Sequence, residues 1–161
     1  VTASTTGHMV LSTLHTNSAI GAISRLKDLG VRPFLIADSL IGVVSQRLVR
    51  KICNVCKESY SPPELEKEYL KDPTIDKLYR GTGCDVCNNS GYFGRTLVYE
   101  ILTVNQELST LIEKEADPSQ IAERAAASGH ITMLDIMTEK VKQGITTYEE
   151  AVRTLGSIRN K

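Results

Sequence analysis

Tryptophan is absent and phenylalanine occurs only twice, so that with six tyrosines the aromatic share is 5% of 161 residues. Few side chains are available to stack on bases, which argues against a binder of single-stranded nucleic acid. Charge of one sign is equally lacking, because 19 lysines and arginines balance 19 aspartates and glutamates. No overall field draws the chain to a polyanion or an anionic membrane surface, and any basic patch must be local. Long apolar runs are missing too: stretches such as Leu40-Ile41-Gly42-Val43-Val44 fall far short of the roughly 20 residues of a membrane helix. Residues 1–8 have no initiator methionine, cationic segment or apolar segment, so they do not read as a signal peptide, and the start reads as cut from within a longer protein. No internal repeat or low-complexity tract is visible, which sets aside solenoids and linkers.

What is present is globular in character, with 41% hydrophobic and 24% charged residues. The length suits about one domain with one main core, leaves room for a compact subdomain inside it and excludes two large cores. Met9-Val10-Leu11-Ser12-Thr13-Leu14 is β-prone and opens on an apolar triplet, as a central strand buried on both faces does. Thr16-Asn17 is expected to cap a helix carrying Ala19, Ile20, Ile23 and Leu26, which Gly30 ends. Pro33 opens a second helix, with Phe34, Leu35, Ala37, Leu40 and Ile41 on its buried side. Residues 43–52 are ambiguous and are read as a helix end leading into a short strand.

Between the first and last cysteines the composition shifts. Pro62-Pro63 breaks regularity and residues 64–72 form a charged helical segment with few apolar anchors, which reads as a surface insertion. The chain returns to β-prone residues from Tyr92 to Val104. After Asn105 it is helical throughout. Asp117-Pro118-Ser119-Gln120 supplies a cap, a first-position proline and a glutamine that reaches back. Met133, Ile136, Met137, Lys140 and Val141 mark a further helix ended by Gly144, in which Met133, Leu134 and Met137 read as core rather than as a partner-binding groove. Thr146-Thr147-Tyr148-Glu149 is a capping box ahead of the stripe Tyr148, Ala151, Val152 and Leu155. Residues 105–161 are thus expected to form a small helical bundle.

Cys53-Asn54-Val55-Cys56 and Cys84-Asp85-Val86-Cys87 are two C-x2-C pairs with 27 residues between them. Each pair can fold into a knuckle presenting two thiolates to one ion, and two knuckles complete a tetrahedron of four sulfurs. Two disulfides, or free redox-active thiols, are the alternatives. Zinc is favoured, and a site closed by four protein ligands is structural rather than catalytic. Such a centre carries net negative charge, for which Arg47, Arg50, Lys51 and Lys57 beside the first knuckle and Arg80 and Arg95 beside the second are candidate counter-charges. Arg47 and Arg50 stand at i and i+3, so on a helix they would share a face toward a phosphate or a neighbouring subunit's carboxylates.

Thr6-Gly7-His8-Met9-Val10-Leu11-Ser12-Thr13-Leu14-His15-Thr16-Asn17 closely resembles the histidine-box segment of the ATPases that drive type II secretion and type IV pilus assembly. Gln46-Arg47-Leu48-Val49-Arg50-Lys51-Ile52-Cys53 is similar to the stretch entering that family's tetracysteine insertion. Gly94-Arg95 with Tyr99-Glu100-Ile101-Leu102 resembles the strand leaving it, and Met133-Leu134 with Gly144-Ile145-Thr146-Thr147-Tyr148-Glu149-Glu150 resembles its helical end.

The resemblance implies an α/β fold: the distal part of a RecA-like core over residues 1–52, a zinc insertion over 53–87, a return strand over 88–104 and a helical subdomain over 105–161. It implies His15 beside the γ-phosphate, Arg47 and Arg50 near nucleotide or a neighbouring subunit, and Cys53, Cys56, Cys84 and Cys87 on structural zinc. His8 carries no such role and reads as a structural residue at the strand entry, and His130, after Gly129 at a helix boundary, reads as a loop or cap residue. The implied setting is a homo-hexamer at the cytoplasmic face of the inner membrane, working on a membrane platform protein, without nucleic acid. ATP and magnesium belong to the longer protein only, since no Gly-x4-Gly-Lys phosphate loop occurs in these 161 residues. The chain alone is therefore expected to be inactive. The rival reading is a stand-alone zinc module that binds protein or nucleic acid.

Overall fold

The computed structural model describes residues 1–159, and these divide into two units. In chain order the elements are α1 (Thr2–Thr5), α2 (Ala19–Asp28), α3 (Pro33–Ser39), β1 (Gly42–Ile52), β2 (Lys57–Tyr60), α4 (Glu64–Tyr69), β3 (Leu78–Gly81), a 3-10 turn (Asp85–Cys87), β4 (Tyr92–Thr103), α5 (Gln106–Glu113), α6 (Pro118–Ala127), α7 (Met133–Lys142) and α8 (Tyr148–Arg159). The first unit holds Val1–Ser45 and Glu100–Ile131; the second holds Gln46–Tyr99 and the chain from Thr132 onward. The single main core expected from length is replaced by two modest ones, of eight and ten buried residues.

In the first unit Ser18, not Thr16 or Asn17, caps α2, its hydroxyl accepting the Gly21 N–H at 3.0 Å. The helix stops as expected at Gly30, where the Val31 and Gly30 amides return to Leu26 and Lys27. Pro33 does open α3. Its buried face is turned, however: Ile36 is 1% exposed while Phe34 and Ile41 are 46% and 65% exposed. Asn105 caps α5, and Asp117, Pro118 and Gln120 start α6 as their spacing predicts. Ala19, Ile23, Ile36, Leu102, Leu108, Ile112, Ile121 and Ala125 close this core.

One expectation fails outright in this unit. Residues 8–16 have no regular structure, and Met9 and Leu11 are 74% and 88% exposed. A central strand is stable only with a hydrogen-bonded neighbour on each side, and among the described residues none pairs with this run.

The second unit corrects two more. Residues 43–52 belong to one eleven-residue strand, β1, paired with β4, so Arg47 and Arg50 do not share a helical face. The segment between the cysteine pairs is not a surface insertion either. Leu70, Ile75 and Leu78 are at most 5% exposed and pack with Val49, Val98, Met133, Met137, Val141, Ala151 and Leu155. Three well-spaced apolar residues suffice because β1, β4, α7 and α8 supply the rest of the core. Met133 and Met137 are core, as read. Thr132 and Asp135 form a reciprocal box at the start of α7. At α8 the cap is Thr147 rather than Thr146, its hydroxyl accepting the Glu150 N–H. Where one bundle was expected, the four helices after Asn105 divide, α5 and α6 into the first unit and α7 and α8 into the second. No described helix is long and apolar enough to cross a membrane.

Candidate metal centre

β1 delivers Cys53 into the first knuckle, where its N–H donates to the Gly91 carbonyl at 2.9 Å. Immediately after Cys56 the chain enters β2, which pairs antiparallel with β3 in the register Lys57↔Gly81 to Tyr60↔Leu78. That register brings the residues after β3 beside Cys56: the Thr82 amide and hydroxyl both donate to the Cys56 carbonyl. The second knuckle therefore starts where the first ends. The 3-10 turn Asp85–Cys87 folds it, and Asn88 and Asn89, both left-handed at φ +50° and +57°, turn the backbone back toward Gly91. Gly81 and Gly91 lie so close that a methyl on either would strike the other's carbonyl.

The four sulfurs converge. Cys53 and Cys84 Sγ are 3.8 Å apart, Cys56 and Cys87 3.8 Å, and Cys84 and Cys87 3.7 Å, and all four lie within 4.8 Å of one another. A disulfide needs about 2.05 Å, so these thiols are free. A tetrahedron with metal–sulfur bonds of about 2.3 Å has edges of about 3.8 Å. The donor set and its spacing thus fit one ion, and these four cysteines could hold a metal.

Among the described residues it is backbone amides, not side-chain cations, that serve the sulfurs. The Gly83 N–H donates to Cys56, and those of Cys84 and Gly91 donate to Cys87, each at 3.3 Å. Burial pushes the Cys56 thiol up to about 11, neighbouring thiols adding to the effect against the Gly83 amide. Burial acts on Cys87 too, but the Cys84 and Gly91 amides outweigh it and bring that thiol down to about 6. Cys87 is thus prepared to ligate as a thiolate near neutral pH, and Cys56 and Cys84, whose thiols are raised, release protons as a metal binds.

Arg80, Lys57 and Arg50, three of the expected counter-cations, are engaged elsewhere. Arg80 pairs with Glu58 at 2.8 Å, and Lys57 lies 4.4 Å over the Tyr79 ring. Arg50 binds Glu150, a carboxylate with no exposed surface. Glu150 accepts the Arg50 N–H at 2.9 Å, the Arg50 side chain at 2.8 Å and Arg153 Nε at 2.9 Å. Although burial pushes it up, those bonds hold the carboxyl down at about 2. The Arg50 guanidinium also lies 4.0 Å over the Tyr92 ring, whose hydroxyl meets Thr147 Oγ1 at 2.8 Å. The Thr146 hydroxyl donates to the Arg50 carbonyl at 2.7 Å. The start of α8 is thereby fastened to β1 three residues before Cys53. Sequence reasoning passes over Glu150 because it sets the capping box one residue early; the spacing Thr147-x-x-Glu150 is the signal that finds it.

Arg47 lies on β1 with its guanidinium on the Gln46 carbonyl at 3.1 Å. His15 is exposed in the irregular segment 8–16, and His8 is exposed with Nδ1 3.1 Å from Thr6 Oγ1. His15 belongs to the first unit, and Arg47, Arg50 and the four cysteines to the second. His130, read from sequence as a loop or cap residue, has its ring buried against Ile101 and Glu100.

Residues 1–153 match the family described as "Type II/IV secretion system protein". The chain is similar to the type II secretion system ATPase E of Vibrio cholerae, 47% identical over 157 residues that cover 95% of this chain and 31% of that protein. It is 46% identical to the type II secretion system protein E of Pseudomonas aeruginosa over 155 residues, 95% of this chain and 31% of the relative. With the type IV pilus assembly ATPase PilB of Thermus thermophilus it shares 44% identity over 154 residues, 93% of this chain and 17% of the relative. The chain thus spans about a third of the length of the first two relatives, and less of the third.

Proposed function

From the premise that the chain belongs to the type II/IV secretion system protein family, we propose that it is the distal segment of an ATPase motor for type II secretion or type IV pilus assembly. The match over residues 1–153 carries this reading, since relatives 44–47% identical are named as proteins of those two systems. The phosphate loop lies in another part of the motor, because these 161 residues contain no Gly-x4-Gly-Lys. The chain alone therefore binds no triphosphate productively and turns none over. ATP and magnesium act only in the intact protein, where residues 1–52 and 88–104 complete a RecA-like core.

His15 is the residue of this segment that serves the reaction: an imidazole N–H donated to the γ-phosphate region as charge redistributes there. Arg47 and Arg50 face nucleotide or a neighbouring subunit, and Arg50 is held in place by Glu150. Cys53, Cys56, Cys84 and Cys87 hold one structural zinc, for which four thiolates at tetrahedral spacing are a suitable set. The motor works as a homo-hexamer, cytoplasmic and peripheral to the inner membrane, on a platform protein embedded there.

Steady-state assays test this. The chain alone should turn over ATP no faster than buffer, and the intact protein should be active. In the intact hexamer His15→Ala should lower kcat by about 10- to 1,000-fold with a smaller effect on nucleotide affinity. Unchanged turnover with the ring intact removes His15 from the mechanism. An encoding gene with no phosphate loop upstream favours the stand-alone zinc module instead.

A further inference from the structure

Buried positions alternate along β4 at Val98, Glu100 and Leu102, so a carboxylate occupies a place the strand pattern reserves for an apolar side chain. Glu100 is 6% exposed. Desolvating a carboxylate is costly unless it meets strong donors. Its Oε1 accepts the Ala19 N–H at 2.5 Å, across 81 positions of sequence. Ala19 is the first residue of α2 and is fully buried. The first turn of α2 has no acidic residue of its own, so Glu100 brings from β4 the negative charge that a helix N-terminus favours. Together with the Ser18 hydroxyl on Gly21 it satisfies two of the amides left free at that end, one by a local group and one by a distant group.

His130 stands behind the carboxylate. Gly129, left-handed at φ +86°, ends α6 with the His130 N–H returned to Ala125, which delivers the ring to β4. Its Nδ1 is 2.9 Å from the Ile101 carbonyl. A carbonyl only accepts, so that nitrogen carries the proton, and Nε2 is left 3.9 Å from Glu100 Oε2. Both side chains are 7% exposed. Upstream of Ala19 the chain passes directly through Ser18 and Thr16, the Thr16 hydroxyl donating to the Ser18 carbonyl at 3.2 Å, to His15.

We propose that Glu100 is a positioning residue: its carboxylate fixes the start of α2 and with it the place from which His15 reaches its target. Resting on the function proposed above, this adds a residue on β4 that acts through the Ala19 amide and sets where the histidine stands.

Two measurements test it. In this chain, amide hydrogen exchange at residues 15–21 should be about 10-fold faster or more in Glu100→Ala than in wild type, the usual consequence of losing a charge-assisted bond. Glu107→Ala, which removes a surface carboxylate of α5, should leave those amides unchanged. Glu100→Gln keeps volume and an acceptor oxygen, so it should exchange at an intermediate rate, and it carries the test if the alanine variant does not fold. In the intact motor Glu100→Ala should lower kcat on the order of 10-fold with KM for ATP little changed, and Glu100→Gln should recover most of that. Wild-type exchange at Ala19 in both variants overturns the proposal, and so does a kcat loss that glutamine does not recover. A His15→Ala motor with full turnover, alongside a freed Ala19 amide in Glu100→Ala, defeats the function proposed for His15 and leaves the clamp on α2 standing.

Discussion

Two stretches of this chain carry its sequence motifs, and the fold treats them oppositely. Residues 8–16 hold the histidine motif without a single element of secondary structure, whereas residues 53–91 are tied at almost every turn by β2–β3 pairing, by amides on sulfur and by the buried side chains of Leu70, Ile75 and Leu78. The cysteine module finds its partners within itself and elsewhere in the second unit. A central strand finds its partners only in other strands, and none is supplied to residues 8–16 by the described chain. A motif's chemistry is therefore no guide to whether its own sequence can build it.

Breaking the metal site should have the largest effect. Protein purified without added metal should contain about one zinc per chain, and Cys84→Ser should lose it. Because metal binding is coupled to folding and Leu70, Ile75 and Leu78 join the core of the second unit, hydrogen exchange should rise across that core as well as the knuckles. Residues 8–16 should not respond. Stoichiometric disulfides by mass spectrometry would defeat this expectation.

Glu150→Ala should come next, at about 2–3 kcal/mol by chemical denaturation: the low end for breaking a buried ion pair, because both arginines are partly solvated. The sign with pH follows from a carboxyl held at about 2 against an ordinary 4.5. Its contribution is whole above pH 4.5 and is lost as pH falls through about 2. Glu150→Gln should flatten that part of the acid profile; an unchanged profile assigns the acid sensitivity to other groups.

Gly81→Ala should cost about 1–3 kcal/mol, since the new methyl meets the Gly91 carbonyl and one of the two backbone segments must move. Metal affinity measured by competition with a chelator should fall with it. Smallest of all is Leu11→Ala, where the side chain is 88% exposed: stability of the chain should shift by no more than about 0.5 kcal/mol. A loss of 2 kcal/mol there would show that residues 8–16 are packed after all.

What the sequence makes legible follows the same division. The cysteine knuckles, the cap of α6 and the glycine stops at Gly30 and Gly144 depend on residues within a few positions of one another, and each is where the pattern puts it. β1 is harder to read because Val44, Leu48 and Ile52 repeat every four residues as on a helix, and only its pairing with β4 decides otherwise. Glu100 and Glu150 are hidden by distance, their donors lying 81 and 100 residues away. Of the candidate site, the ligand set is legible and its supporting hydrogen bonds are not, because backbone amides leave no mark in a sequence.

Leu70, Ile75 and Leu78 have a consequence for how such a chain can change over generations. A segment that merely decorated the surface could be lost in one deletion. This one cannot, since its removal would open a hole between Val49, Val98, Met133, Met137 and Val141. A lineage that dispenses with the cysteines must first refill that volume, with larger side chains on α7 and β1 or with a new apolar loop. The substitutions that permit the loss should therefore be found far from the cysteines themselves.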